Sequence, residues 1–111
     1  MIMVGIHVRG GRMTHEIDVP TAKTHAELGT KIGQLRYDAM IIVLSAFKRE
    51  IELQMVDDIG KNRIQIAERG SQLIGNLDTV TKQLRRMLMI ASPHIQQELR
   101  EFPLIEISDE F

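Results

Sequence analysis

Apolar and polar positions alternate with a period of two over the first nineteen residues. Ile2, Val4, Ile6 and Val8 interleave with Met3, Gly5, His7 and Arg9, and Met13, His15, Ile17 and Val19 repeat the beat after Gly10-Gly11. This is the period of a half-buried strand, and a Gly-Gly pair supplies the positive φ of a two-residue turn. The pattern predicts a β-hairpin with strands at about 2–9 and 12–19. It pairs Arg9 with Arg12, Val8 with Met13, Ile6 with His15, Val4 with Ile17 and Ile2 with Val19, with the apolar set on one face. Pro20 ends the second strand because it donates no ladder hydrogen bond.

The period then changes. Thr24-His25-Ala26-Glu27 has the form of a capping box, and Leu28, Ile32, Leu35, Ala39, Ile42, Ala46, Leu53 and Val56 follow at spacings of four and three, with Arg49 the misfit. One helix over about 25–58 is expected. Gly60 serves as its stop and Asn62 as the next N-cap; an unbroken helix through Gly60 is the alternative. Ile66, Gly70, Leu73, Leu77, Val80, Leu84, Met87 and Ala91 keep the same beat and predict a helix over about 63–91. Gly70 lies on that seam, which suggests close approach of a neighbouring backbone. Two long helices joined by a short turn fold back as an antiparallel pair.

Ser92-Pro93 restarts the chain as a short helix over about 93–102, Pro103 stops it, and Leu104-Ile105-Glu106-Ile107 reads as a short strand at about 104–107. The expected fold class is α+β in one domain, 1–111: a β-hairpin, two long antiparallel helices, a short helix and a third strand able to extend the hairpin edge.

The stretch DAMIIVLSAF at 38–47 complicates a simple amphipathic reading. With Leu35, Ala39, Ile42 and Ala46 on the seam toward the second long helix, Met40, Leu44, Phe47 and Ile51 form a second apolar stripe pointing elsewhere. A helix with two apolar faces is buried between two layers. A helix over 25–58 is about 50 Å long, whereas an eight-residue strand spans about 27 Å, so a sheet leaves much of the stripe uncovered. The expectation is a homo-oligomer, most simply a two-fold dimer with first helix on first helix in a four-helix bundle, and Met40, Leu44, Phe47 and Ile51 as its interface. A monomer in which sheet and third helix cover the stripe is the alternative.

Composition narrows the picture modestly. With 111 residues and no cysteine, the chain has room for a core and offers no disulfide or thiolate metal site. The apolar run after Asp38 is less than half a membrane span, and the N-terminus is broken by Gly5, His7 and Arg9, so no leader is expected and the reading is cytoplasmic. Of Met1, Met3 and Met13 as start sites, the longer chain is favoured because starting at Met13 deletes the first strand. The net charge of −1 steers the molecule to no polyanion. Residues 61–91 hold six bases against two acids, and residues 92–111 one base against five acids, charges read as compensating within the fold.

Candidate chemistry is sparse. His7, His15, His25 and His94 have no HxxxH or HxxE spacing, so no metal ligands are assigned. Glu50, Glu52, Asp57 and Asp58 line the first long helix, but Glu50 and Glu52 are two apart and the second offers only Glu68 and Asp78, a poor match to paired acids holding Mg²⁺. Phosphate loops and nucleophile elbows are absent, and Ser45 is expected to bond back to its own helix. Arg69, Lys82, Arg85 and Arg86 are candidate phosphate contacts, without interleaved aromatics to stack bases.

The sequence therefore points to a non-catalytic homo-oligomeric interaction or scaffold protein with no cofactor, no catalytic residue and no membrane contact. The alternatives are a nucleic-acid binder using the outer face of the second helix and a small metal-dependent hydrolase using the first helix's carboxylates. A free hairpin edge offers a further route to another protein.

Overall fold

The computed structural model describes the backbone of residues 6–9 and 12–14 and the chain in full from His15 to Leu104. Its fold is all-α. Among the described residues four helices follow in order: α1, His25–Gly33; α2, Tyr37–Gly60; α3, Ile64–Ala91; and α4, Gln96–Glu101, with a 3₁₀ turn at Ser92–His94 between the last two. The dominant packing is α2 against α3, an antiparallel helical hairpin.

This corrects the α+β expectation. Backbone of Ile6–Arg9 does pair antiparallel with Arg12–His15, matching Ile6 with His15, Val8 with Met13 and Arg9 with Arg12. Beyond it the described residues hold only one bridge, Glu16 to Leu35, and Ile17, Asp18 and Val19 are not in a strand. Two four-residue segments make no layer for helices to pack on. The expected strands at 2–9 and 12–19 therefore do not form a sheet layer in the fold. Residues 2–5 and the Gly10-Gly11 turn lie outside the described residues, as do 105–107 of the expected C-terminal strand; Leu104 is irregular.

The expected single helix over 25–58 is also corrected, since it is two. Thr24 caps α1 as its sequence implies: its Oγ1 accepts from the Glu27 N–H at 3.1 Å, and Glu27 Oε2 accepts from the Lys23 N–H at 3.1 Å. The chain leaves the helix after Gly33, and Gly29 and Gly33 both weaken helical propensity there. The Arg36 N–H then donates to the Glu16 carbonyl at 2.8 Å, so the N-terminal arm takes the hydrogen bond that a continuous helix would have used. The segment expected as one helix over 93–102 divides into the 3₁₀ turn and α4.

At the other end α2 runs through Gly60, and Asn62 carries the left-handed φ of 60° that the sequence assigns to the Gly60 stop. Asp57 and Asp58 in the last turn oppose the helix dipole. Arg63 answers them, Nε donating to Asp58 at 2.9 Å and Nη2 to Asp57 at 3.2 Å, with Lys61 3.1 Å from Asp57.

The core sits at the end remote from this tip. Ile41, Leu84 and Leu88 form its centre, and Tyr37, Met40, Ile42, Leu44, Ile95, Leu99 and Leu104 close around them. The molecule measures 56 × 33 × 19 Å with a radius of gyration of 16.5 Å. A compact chain of this length has a radius near 13 Å.

Candidate interaction surface

The helical seam differs from its expected position. Ala46 is exposed, Leu53 is 59% exposed and Val56 66%, so the row Ala39–Ile42–Ala46–Leu53–Val56 does not face α3 along its length. The residues of α2 turned toward α3 are Ile41, Leu44, Lys48, Ile51 and Met55, spaced three and four apart. Met55 stands against Gly70, where a Cβ built on the glycine would lie 3.7 Å from the Met55 side chain. That is ordinary contact, and it corrects the expectation of a neighbouring backbone at Gly70.

Of the four expected interface residues, Met40 and Leu44 touch the core cluster, Ile51 is half-buried, and Phe47 is 46% exposed. They share their side of the hairpin with a row on α3 that the sequence reading had placed wholly in the seam. Ile66, Leu73, Val80 and Met87, one per heptad, are all exposed, while Gly70, Leu77 and Leu84 between them turn toward α2. A crevice of about 220 Å³ joins the two rows, lined by Ile51 and Met55 from α2 and by Ile66, Gly70 and Leu73 from α3. The α2 row repeats every four and three residues and the α3 row every seven, the heptad spacing of helices that share a bundle axis.

The opposite side of the hairpin is polar at mid-length. A cavity of about 350 Å³ is lined by Lys48, Glu52, Asp78, Thr81 and Arg85. Lys48 Nζ lies 2.7 Å from Asp78, whose carboxylate, as hydrogen-bond partner first and as charge second, raises the lysine above its ordinary 10.5. The four candidate phosphate contacts are thereby dispersed. Arg85 lines this cavity, Arg69 borders the apolar crevice and donates to Gln72 at 3.2 Å, and Lys82 and Arg86 are exposed on α3.

The candidate metal-binding carboxylates do not converge. Asp57 and Asp58 are engaged by Lys61 and Arg63, and Glu50 and Glu52 are exposed. Among the described residues no group of three His, Asp or Glu side chains is placed to hold a metal ion. His25 and His94 are exposed, and the His7 side chain lies outside the described residues.

One polar cluster escaped the sequence reading. Arg36, 2% exposed, donates to Asp38 through Nε at 2.7 Å and Nη2 at 2.8 Å, and to the Phe102 carbonyl at 2.6 Å. Its Nη1 lies 3.7 Å from Glu98, and that carboxylate accepts from the His15 backbone N–H at 2.9 Å, with His15 Nδ1 3.1 Å away. Two carboxylates around one buried guanidinium tie the N-terminal arm, the start of α2 and α4 together. The only sequence signal is the pair Arg36 and Asp38 at the edge of an apolar run, which reads equally well as solvated.

No family model, curated protein or solved structure matches the chain. No helix among the described residues is long and apolar enough to cross a membrane.

Proposed function

We propose that the chain is a non-catalytic interaction module that acts by self-association in the cytoplasm, two helical hairpins joining into a four-helix bundle. The observation that carries this reading is the apolar surface on one side of the hairpin, made by exposed Phe47 and half-buried Ile51 on α2 and by exposed Ile66, Leu73, Val80 and Met87 on α3, with the crevice between Ile51, Ile66 and Leu73. An exposed apolar face of this extent marks an interface in a protein that stays in solution. A second hairpin laid on it supplies the missing half of the bundle core. Light scattering on a sizing column tests the reading at low and high salt. A stable mass of twice 12.7 kDa is expected, and a monomer at micromolar concentration overturns it. Nucleic-acid binding has weaker support, because Arg69 and Arg85 border opposite sides of the hairpin.

A further inference from the structure

Resting on that self-association, we propose that the charged cluster around Lys48 and Asp78 holds assembly at two copies, by closing the second side of the hairpin to further chains. The hairpin needs such a stop, because its exposed apolar side chains are not confined to the Phe47 side. Val56 is 66% exposed and Met89 72%. Nine residues separate Phe47 from Val56 on α2, and nine separate Val80 from Met89 on α3. Nine residues are about two and a half helical turns, so Val56 and Met89 point to the side opposite Phe47 and Val80. A hairpin that joins copies on both sides, each about its own two-fold axis, extends into an open row of chains. One that joins on a single side closes at two.

The cluster stands between these two apolar positions. Glu52 is four residues before Val56 and Arg85 four before Met89, so each is the neighbour of an apolar residue on its own helix face. Glu52 and Arg85 line the same cavity as Lys48, Arg49 and Asp78. Lys48 belongs to the α2 row that faces α3, where it is the one charged residue among Ile41, Leu44, Ile51 and Met55, and its Nζ lies 2.7 Å from Asp78. The charges act on one another. The hydrogen bond to Asp78 raises the Lys48 pKa, burial opposes it, the charges of Asp78 and Glu52 add to the rise, and the charge of Arg85 lowers it.

Water still reaches the central pair, with the Lys48 side chain 29% exposed and that of Asp78 45%. Laying another chain over this side strips water from several charges at once, a loss recovered only where the incoming surface matches them closely. The apolar side carries no such penalty. Register within the hairpin does not require the pair, since the three-residue turn between α2 and α3 already sets it.

Lys48→Leu combined with Asp78→Leu removes the pair without changing the net charge. Lys48→Asp combined with Asp78→Lys keeps both charges and exchanges their places. Light scattering gives the mass of each beside the unmodified chain, with circular dichroism confirming helicity. The unmodified chain and the exchanged variant are expected at twice 12.7 kDa. The leucine variant is expected above that mass and to grow with concentration. A leucine variant that stays at two copies overturns the proposal and leaves self-association standing, as does an exchanged variant that assembles further. If the leucine variant loses helicity, Glu52→Leu combined with Arg85→Leu makes the same test beside the intact pair. A monomeric unmodified chain overturns both the proposal and the self-association beneath it.

Discussion

Arg36 and Asp38 form a two-bonded ion pair across a single intervening residue, at 2.7 and 2.8 Å, with both side chains inside the protein. Removing one partner of a buried pair leaves an uncompensated charge, at a cost of about 3–5 kcal/mol. Asp38→Ala leaves Arg36 only the Glu98 carboxylate at 3.7 Å and is expected to lower the unfolding free energy read from urea titration by about 3 kcal/mol, the lower end of that range. Replacing Arg36 and Asp38 together with Met and Leu recovers most of the loss. Equal losses in the single and double variants would mean that the pair contributes through packing alone.

The α1 cap titrates. The Lys23 backbone N–H, and after it the Lys31 side chain, holds the Glu27 carboxyl below its ordinary 4.5. A carboxyl depressed by folding contributes stability that is present above its unfolded pKa and is lost as pH falls through the folded value. Helix α1 buries no residue of its own, so its loss is local. Helicity by circular dichroism should begin to fall below pH 4.5 before the hairpin melts, and Glu27→Gln should remove that early step.

Asn62 alone among the non-glycine residues holds a positive φ in the described chain. Left-handed backbone costs most L-residues about 1–2 kcal/mol. Asn62→Val is expected to lose roughly that amount and Asn62→Gly to stay within a few tenths, read by thermal melts of both variants.

The helix glycines offer an opposite test. A Cβ at Gly75 meets nothing within 4 Å, and one at Gly70 meets Met55 at ordinary contact distance. Each Gly→Ala change should stabilise by up to about 1 kcal/mol through helix propensity. A gain at Gly75 with a loss at Gly70 would show that the Met55 side chain does not give way to the added methyl group.

Leu44→Glu is a poor probe of self-association, because Leu44 touches the Ile41–Leu84–Leu88 core. Phe47→Glu separates the two effects. It should convert a dimer to a monomer, weakening association by at least about tenfold, or 1.4 kcal/mol, while helicity is retained. Leu53→Glu, on the exposed row facing away from α3, should leave the mass unchanged. Dissociation by Leu53→Glu and not by Phe47→Glu would move the interface to the other side.

What the sequence made legible was local. The Thr24–Glu27 cap, the turn near residue 61 and the two long antiparallel helices follow from short-range spacing. The break at 34–36 does not, because the Glu16 carbonyl that draws Arg36 out of the helix comes from a distant segment. The burial of Arg36 likewise depends on Glu98 and Phe102, sixty residues on. Which of two apolar rows on α2 faces α3 was undecidable from periodicity, since both repeat at three and four. The N-terminal alternation overstated the sheet because period two specifies a pleat and says nothing of whether a layer exists to cover it.

The cluster around Arg36 has a consequence in time. His15 and Glu98 are 83 residues apart, whereas α2 and α3 are joined by a three-residue turn. Closing so long a loop is entropically slow beside zipping the helices from their turn. The clasp at the open end therefore forms last on folding and opens first on unfolding, and its loss falls mainly on the lifetime of the native state rather than on the speed of reaching it.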